Sequence, residues 1–397
     1  MHPNPGILPA SSAPFDYRPR TRVIFGPNSL ERLGGLAFEL GARKVLLVTD
    51  PGIVSAGHAA RVSRLLEAAG LSVGRFAAVE ENPGTRCVQR CLEAARGSNI
   101  DTFIGLGGGS SLDTAKACNF LLTNGGRVQD YQGIGKARQP LLPMIAIPTT
   151  GGTGSECQSF ALITDEETHQ KMACGDPAAA PRIALLDPAL TLSQPPRVTA
   201  CTGIDAMAHA VETAVTTRRT ALSLLFSREA LRLLLAGLPR VLAAPGDLEA
   251  RGWMLLGAAW AGTAIENSML GAAHSAANPL TAHFGVVHGH AVGLMLPHVV
   301  RFNAGEPAAA QTYAELARAA GLASPAETPA EAAAHLGDLL EGILDLAGLP
   351  HRLKHLGVGA ATIPSLALEA ARQWTAQFNP RPVAATDFEA LYSAALG

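Results

Sequence analysis

The amino-acid sequence predicts an N-terminal α/β domain on a doubly wound, mostly parallel, Rossmann-like sheet, followed by an all-helical C-terminal domain. Three observations predict it. Short apolar, β-branched runs alternate with helix-periodic stretches over the first half of the chain, the rhythm of strands covered by helices on both faces. From about Arg197 that rhythm stops, and long Ala- and Leu-rich helical segments such as Ser223–Val241 and Leu248–Leu270 take over. Glycine-rich turns follow two of the strands. At 397 residues the chain is long enough for two domains with separate cores.

The elements follow in order. RVIF (Arg22–Phe25) reads as the first strand, and Asn28 with Glu31 has the spacing of a capping box opening a helix through Leu40. KVLLVTD (Lys44–Asp50) is an apolar run of buried-strand type, followed by a helix near His58–Ala69. LSVGRF, a helix through Val88–Ala95, the strand Thr102–Leu106 and MIAIPTT continue the pattern. Pro195-Pro196 punctuates the change. The expected organisation is a flexible tail over 1–14, an α/β domain over 15–196 and a helical domain over 197–397, with a cleft between the last two.

Composition removes several functions. A net charge of −2 gives no basic face for nucleic acid. No uninterrupted apolar stretch approaches the roughly 18 residues of a membrane span. The opening MHPNPGILPASSAP lacks the charged start and apolar core of a signal peptide. Six cysteines without a CxxC pair read as free thiols of a cytoplasmic protein, Cys87 and Cys91 among them as buried apolar groups.

Four patterns carry chemistry. The run GLGGGSSLDTAK (Gly105–Lys116) follows a strand and opens a helix, so backbone amides at Gly107, Gly108 and Gly109 can approach an anion such as a pyrophosphate. Ser110 or Ser111 is placed to cap that helix, and Ser110, Asp113 and Lys116 are counted as cofactor-binding. PTTGGTGSE (Pro148–Glu156) supplies Thr149, Thr150, Thr153 and Ser155 on a second glycine loop after a strand, facing the same crevice. Neither loop has GxGxxG spacing, so this dinucleotide domain departs from the usual fingerprint. Asp50 ends its strand, where a carboxylate either bonds the adenosine ribose and favours NAD over NADP or caps the next helix. In GIDAMAHAVE (Gly203–Glu212), Asp205 and His209 are four apart and share one helix face. His274 and His288 lie in apolar surroundings where imidazoles need partners. One carboxylate and three imidazoles suit Fe(II) or Zn(II). His283, His290 and His298 lie in the same region, and the residues alone leave the choice among them open.

These motifs together resemble the iron-containing, or group III, alcohol dehydrogenase family, whose fold is shared with dehydroquinate synthase. The resemblance runs from about Phe15 to Leu396 and is carried by FGPNSLERL, KVLLVTD, GGGSSLDTAK, IPTTGGTGSE, ALLDPALTLSQPP, GIDAMAHAVE, HGHAVGLMLPHVVRFN and NPRP. It implies a divalent metal, iron before zinc, held by Asp205, His209, His274 and His288. It also implies NAD(P) on the two loops and Asp50, an alcohol or aldehyde substrate, and a homodimer. Two departures stand out. Asn278 occupies the position four residues after the third ligand where many members carry a histidine near the nicotinamide, which leaves water, a ribose hydroxyl or His290 as the proton's way out. Glu266 stands where small or apolar residues are usual. Cys157, Phe160, Glu266 and Asn278 are the expected pocket residues. The competing readings are a hydroxyacid–oxoacid transhydrogenase with bound nicotinamide, a lyase of the dehydroquinate-synthase type, and a binding protein on the same scaffold.

Overall fold

The computed structural model describes residues 14–167 and 170–397, so the expected tail falls outside it except for Pro14. Nine strands occur in the described residues: β1 (Arg22–Phe25), β2 (Lys44–Val48), β3 (Ser72–Phe76), β4 (Thr102–Gly107), β5 (Gly133–Ile134), β6 (Met144–Pro148), β7 (Phe160–Thr164), β8 (Lys171–Gly175) and β9 (Ile183–Leu186). Between and beside them run α1 (Leu33–Glu39), α2 (Pro51–Ser55), α3 (His58–Ala68), α4 (Thr85–Ala95) and α5 (Gly109–Asn124). Then come α6 (Pro196–Thr213), α7 (Ala221–Ala243), α8 (Leu248–Glu266), α9 (Ala272–Phe284), α10 (His288–Asn303), α11 (Pro307–Ala319), α12 (Pro329–Leu346), α13 (Ile363–Ala371) and α14 (Ala385–Leu396).

The chain divides into two compact units. The sheet unit comprises Arg18–Thr199 and Ala243–Gly262. Its main sheet has the order β1-β9-β6-β4-β2-β3 and is parallel throughout. Alternation along β2 shows how both faces are filled: Leu46 and Val48 join one apolar cluster with α4 and α5, while Val45 and Leu47 join another with α1 and α3. The chain passes from β2 outward to β3, then returns across β2 to β4. Strand order therefore reverses between β2 and β4, the kind of switch point where ligands bind at the carboxyl ends of strands. A second sheet, β5-β8-β7, was not anticipated; β7 pairs antiparallel with β8.

The capping box expected at Asn28 does not form. Asn28 adopts a left-handed conformation (φ 61°) with no side-chain cap, and a short 3-10 turn precedes α1. The buried Asp187 carboxylate takes over, accepting the Asn28 N–H at 3.0 Å and the Leu30 N–H at 3.2 Å. A tertiary acceptor has displaced the local one.

The helical unit comprises residues 14–17, Ala200–Leu242 and Thr263–Gly397. The change of unit falls inside α6, close to Pro195-Pro196, but the second half of the chain is not wholly in the helical unit. Most of α8 belongs with the sheet, because Leu255 and Ala259 pack on Ala184 and Leu186 of β9. In the helical unit α10 packs against α9, α12 and α14. Helix α12 has a true capping box, with Thr328 Oγ1 accepting from Glu331 N and the Glu331 carboxylate from Thr328 N. No described helix is long and apolar enough to cross a membrane.

Candidate metal centre

Helix α6 places Asp205, His209 and Glu212 at i, i+4 and i+7, one stripe of a 3.6-residue helix, and all three are buried. Helix α9 brings His274 from its first turn, and α10 brings His288 as its first residue. The approach of α10 depends on glycine. A Cβ on Gly289 would lie 2.0 Å from the Cys201 carbonyl oxygen, and one on Gly293 would lie 2.3 Å from Ile204 Cγ2. Only backbone fits between α10 and α6 at these points.

Asp205 Oδ1 is the hub. It lies 3.6 Å from His209 Nε2, 3.5 Å from His274 Nε2 and 3.9 Å from His288 Nε2. Four donors about 2.1 Å from a tetrahedral ion are about 3.4 Å apart, so this spacing suits a metal better than direct hydrogen bonds. The His209 and His274 rings stack at 4.8 Å, and His288 tilts across His274 at 5.5 Å. Asp205 Oδ1 and His274 Nε2 are buried and lack a hydrogen-bond partner among the described residues. Such atoms are rare in folded proteins, and one cation would satisfy both. Asp205, His209 and His274 form a compact ligand set, while His288 is the more open member, its side chain 22% exposed. Burial alone would raise the Asp205 carboxyl, but the imidazoles of His209, His274 and His288 hold it far below the usual range. Burial likewise opposes charge on His274, yet Glu212 and Asp205 push it up to about 9.

Two residues that the sequence reading passed over support this cluster. Glu212 bonds His274 Nδ1 through Oε2 and accepts the Ala273 N–H at 2.7 Å on Oε1. Asn379, in the NPRP stretch, accepts the Ala272 N–H at 3.2 Å. The i+7 spacing from Asp205 was the available signal for Glu212; nothing local marks Asn379.

The other histidines separate from the site. His283 pairs with exposed Glu369 at 2.8 Å. Burial lowers His298. His290 is a correction to the expected relay: its Nε2 donates to the Pro350 carbonyl at 2.6 Å, because two residues along a helix turn it to another face from His288. Asn278, one turn beyond His274, donates to Gln373 Oε1 at 3.0 Å. Glu266 ends α8 half-buried. Cys157 is buried among Ala184, Leu186, Leu255 and Ala259, and Phe160 lies over Gly175 of β8, where a Cβ would meet its ring at 2.4 Å.

The glycine loops sit together in the sheet unit. Gly107 has φ +143°, and a Cβ there would lie 2.5 Å from Ser111 Oγ and 2.9 Å from Asp50 Oδ2. A Cβ on Gly109 would lie 2.6 Å from Thr153 Cγ2, so the loops abut, and Thr149 N–H bonds the Gly107 carbonyl at 3.0 Å. Gly108, not a serine, is the N-cap of α5; Ser110 and Ser111 lie inside the helix. Asp50 caps α2 through Ile53 N at 3.0 Å and takes the Ser111 hydroxyl at 3.2 Å. Thr150 lies beside Gly108 and is half-buried, like Ser110 and Thr153.

Asp113 and Lys116 face inward rather than toward a ligand. The fully buried Lys116 Nζ donates to Ser155 O at 2.6 Å, Ser155 Oγ at 2.8 Å and Phe160 O at 2.8 Å. Ser155 Oγ donates to Asp113 Oδ1 at 2.5 Å, and Asp113 Oδ2 accepts the Leu162 N–H at 3.1 Å. This network ties α5 to the second loop. Below it Glu156 is buried with Oε1 lacking a partner among the described residues, and burial pushes its carboxyl up to about 7.

Comparison with known proteins agrees with this geometry. The sequence profile described as iron-containing alcohol dehydrogenase matches residues 19–188, and that of the Fe-containing alcohol dehydrogenase family, C-terminal, matches 199–396. An NAD-dependent methanol dehydrogenase of Bacillus methanolicus is 33% identical over 94% of this chain and 97% of its own. A choline dehydrogenase of Bacillus subtilis is 36% identical over 91% of this chain and 90% of its own. A crystal structure of a 1,3-propanediol oxidoreductase superposes with a TM-score of 0.93 at 31% identity, covering 96% of this chain and all of that one.

Proposed function

The chain belongs to the iron-containing alcohol dehydrogenase family, and from that membership we propose how its residues divide the work of a metal-dependent, NAD-linked oxidoreductase of alcohols and aldehydes. The Asp205 oxygen ringed by three imidazole nitrogens is the observation that carries the reading. Asp205, His209, His274 and His288 hold the divalent metal, Fe2+ before Zn2+. When bound, the metal polarises the substrate oxygen and the nicotinamide exchanges hydride with the substrate carbon. The greater exposure of His288 supports substrate entry on its side of the cluster.

The nucleotide falls to the other unit. Backbone amides at Gly107–Gly109 and the start of α5 take the pyrophosphate, with Ser110, Thr150 and Thr153 along the rim. Asp113, Lys116 and Ser155 brace those loops from inside. Asp50, beside Gly107 and Ser111, faces the ribose and disfavours a 2′-phosphate, which makes NAD the cofactor. The substrate proton leaves to water, since Asn278 cannot carry one and His290 is held by Pro350. The named relatives act on methanol, choline and propanediol, which supports a small alcohol here. Six buried free thiols support a reducing, cytoplasmic setting, and the side of edge strand β1 left unpaired among the described residues supports a homodimer.

The test is the metal content of full-length protein purified without chelator, with NADH absorbance assays over a panel of alcohols and aldehydes. Near-stoichiometric iron or zinc with metal-dependent turnover is expected. Asp205→Ala and His288→Ala should each lose metal and turnover while keeping NADH binding; full metal occupancy in either would overturn the ligand set.

A further inference from the structure

We infer that Glu212 is a positioning residue for the metal: it fixes the His274 ring and tautomer so that Nε2 presents a lone pair to the ion. The inference rests on the ligand set proposed above. A ligating imidazole has two nitrogens, and the one that does not bind metal must hold the proton. Glu212 bonds His274 Nδ1 directly, so that nitrogen keeps its proton, and the proton an ion would displace is the one on Nε2, which faces Asp205 Oδ1.

Three features make this more than a surface ion pair. Glu212 is 3% exposed, so water cannot substitute for it. It lies on the same face of α6 as Asp205 and His209, so one rigid helix sets the position of two ligands and the partner of a third. Its other oxygen holds the Ala273 N–H, next to His274 and in the first turn of α9, which fixes the backbone that carries the ring. The partly positive start of α9 and the imidazole N–H thus share one carboxylate. Capping alone would occupy a single oxygen and could be met elsewhere, as Asn379 meets the Ala272 N–H. The second oxygen is committed to the ring.

The experiment uses the metal-stripped full-length chain and Zn2+ alone, with affinity measured by competition with a chromophoric chelator. Circular dichroism melting of the metal-free chain reports folding separately. Glu212→Gln keeps the shape and one acceptor but loses the charge. It should bind Zn2+ about 10–100-fold more weakly than the wild type while melting cooperatively. A folded Glu212→Gln chain with wild-type Zn2+ affinity would refute the inference. Should Glu212→Gln fail to fold, Glu212→Asp retains the charge but stops one methylene short of Nδ1. Weakened Zn2+ binding in a folded Glu212→Asp chain supports the inference, and wild-type affinity refutes it. Asp205→Ala separates the two levels. If Asp205→Ala loses Zn2+ and Glu212→Gln does not, the ligand set stands and the role of Glu212 fails. If Asp205→Ala binds Zn2+ like the wild type, the ligand set itself fails and takes the inference with it.

Discussion

The metal centre and the glycine loops use their polar side chains in opposite ways. In the helical unit the buried carboxylate and imidazoles converge on one point, and Asp205 Oδ1 and His274 Nε2 lack a hydrogen-bond partner among the described residues. In the sheet unit Lys116, Asp113 and Ser155 bond one another and the backbone, so the chemistry offered outward comes from peptide N–H groups. One site is made of side chains on a backbone scaffold. The other is made of backbone held by side chains. A substitution should therefore be read differently in each: in the first by the donor it removes, in the second by the support it withdraws.

Four measurements can break or sharpen this contrast. The largest effect is expected at Lys116. Lys116→Met leaves Ser155, Phe160 and Asp113 without their buried cation, and removing one side of such a network typically costs about 3–5 kcal/mol. Denaturant unfolding should show that loss with weakened NADH binding, while Zn2+ affinity of the folded chain stays unchanged; a loss of Zn2+ affinity would dissolve the distinction.

Glu156 comes next. Its carboxyl is raised from 4.5 to about 7 by burial, so between those values the folded chain holds a proton that the unfolded chain has released. Stability from this group is complete below about pH 4.5, falls as pH rises, and is gone above about pH 7. Glu156→Gln should abolish that fall, gaining about 3 kcal/mol on the wild type between pH 4 and pH 8. An unchanged pH profile of denaturant midpoints would show that Glu156 is ionised in place.

Gly289→Ala follows. Its methyl would strike the Cys201 carbonyl, forcing α10 from α6 and His288 from Asp205. Overpacking of this kind costs about 1–3 kcal/mol. Chelator competition should register weaker Zn2+ binding with NADH affinity intact, the mirror image of Lys116→Met. The smallest effect belongs to Asp50→Gly, since glycine also serves as an N-cap. Removing one charge beside a phosphate is worth on the order of 1 kcal/mol, so the NADPH-to-NADH affinity ratio should rise several-fold. No change in that ratio would leave Asp50 as a helix cap.

Side-chain sites announce themselves in sequence and braces do not. Asp205 and His209 gained weight from company: a D-x3-H pair alone is more often an ordinary helix pair, and His274 and His288 in apolar surroundings changed that reading. Choosing His288 over His290 needed the family resemblance, since both stand in one short motif and only the helix phase separates them. The inward bonding of Lys116 and Asp113 was not legible because a motif shows which residues accompany a phosphate loop, not which way they point. The capping box at Asn28 failed for a related reason: Asp187, more than 150 residues away, supplied the acceptor. Glu212 stood in plain view within the quoted motif, but its partner lies on another helix. The three-stranded sheet of β5, β7 and β8 was missed although β7 is mostly apolar, because β5 is only two residues long and β8 carries Lys171 and Gly175 at its ends.

The ligands come from α6, α9 and α10; α7 and α8 intervene between α6 and α9, whereas only Gly285, Val286 and Val287 join α9 to α10. An ion held by all four would act as a cross-link, closing the long loop between α6 and α9 much as a disulfide does and lowering the entropy of any partly opened form. Binding that requires the folded arrangement also adds its own free energy to folding. The metal would then set the durability of the helical unit as well as its chemistry, so that a cell short of the ion would hold an enzyme both inactive and easier to degrade.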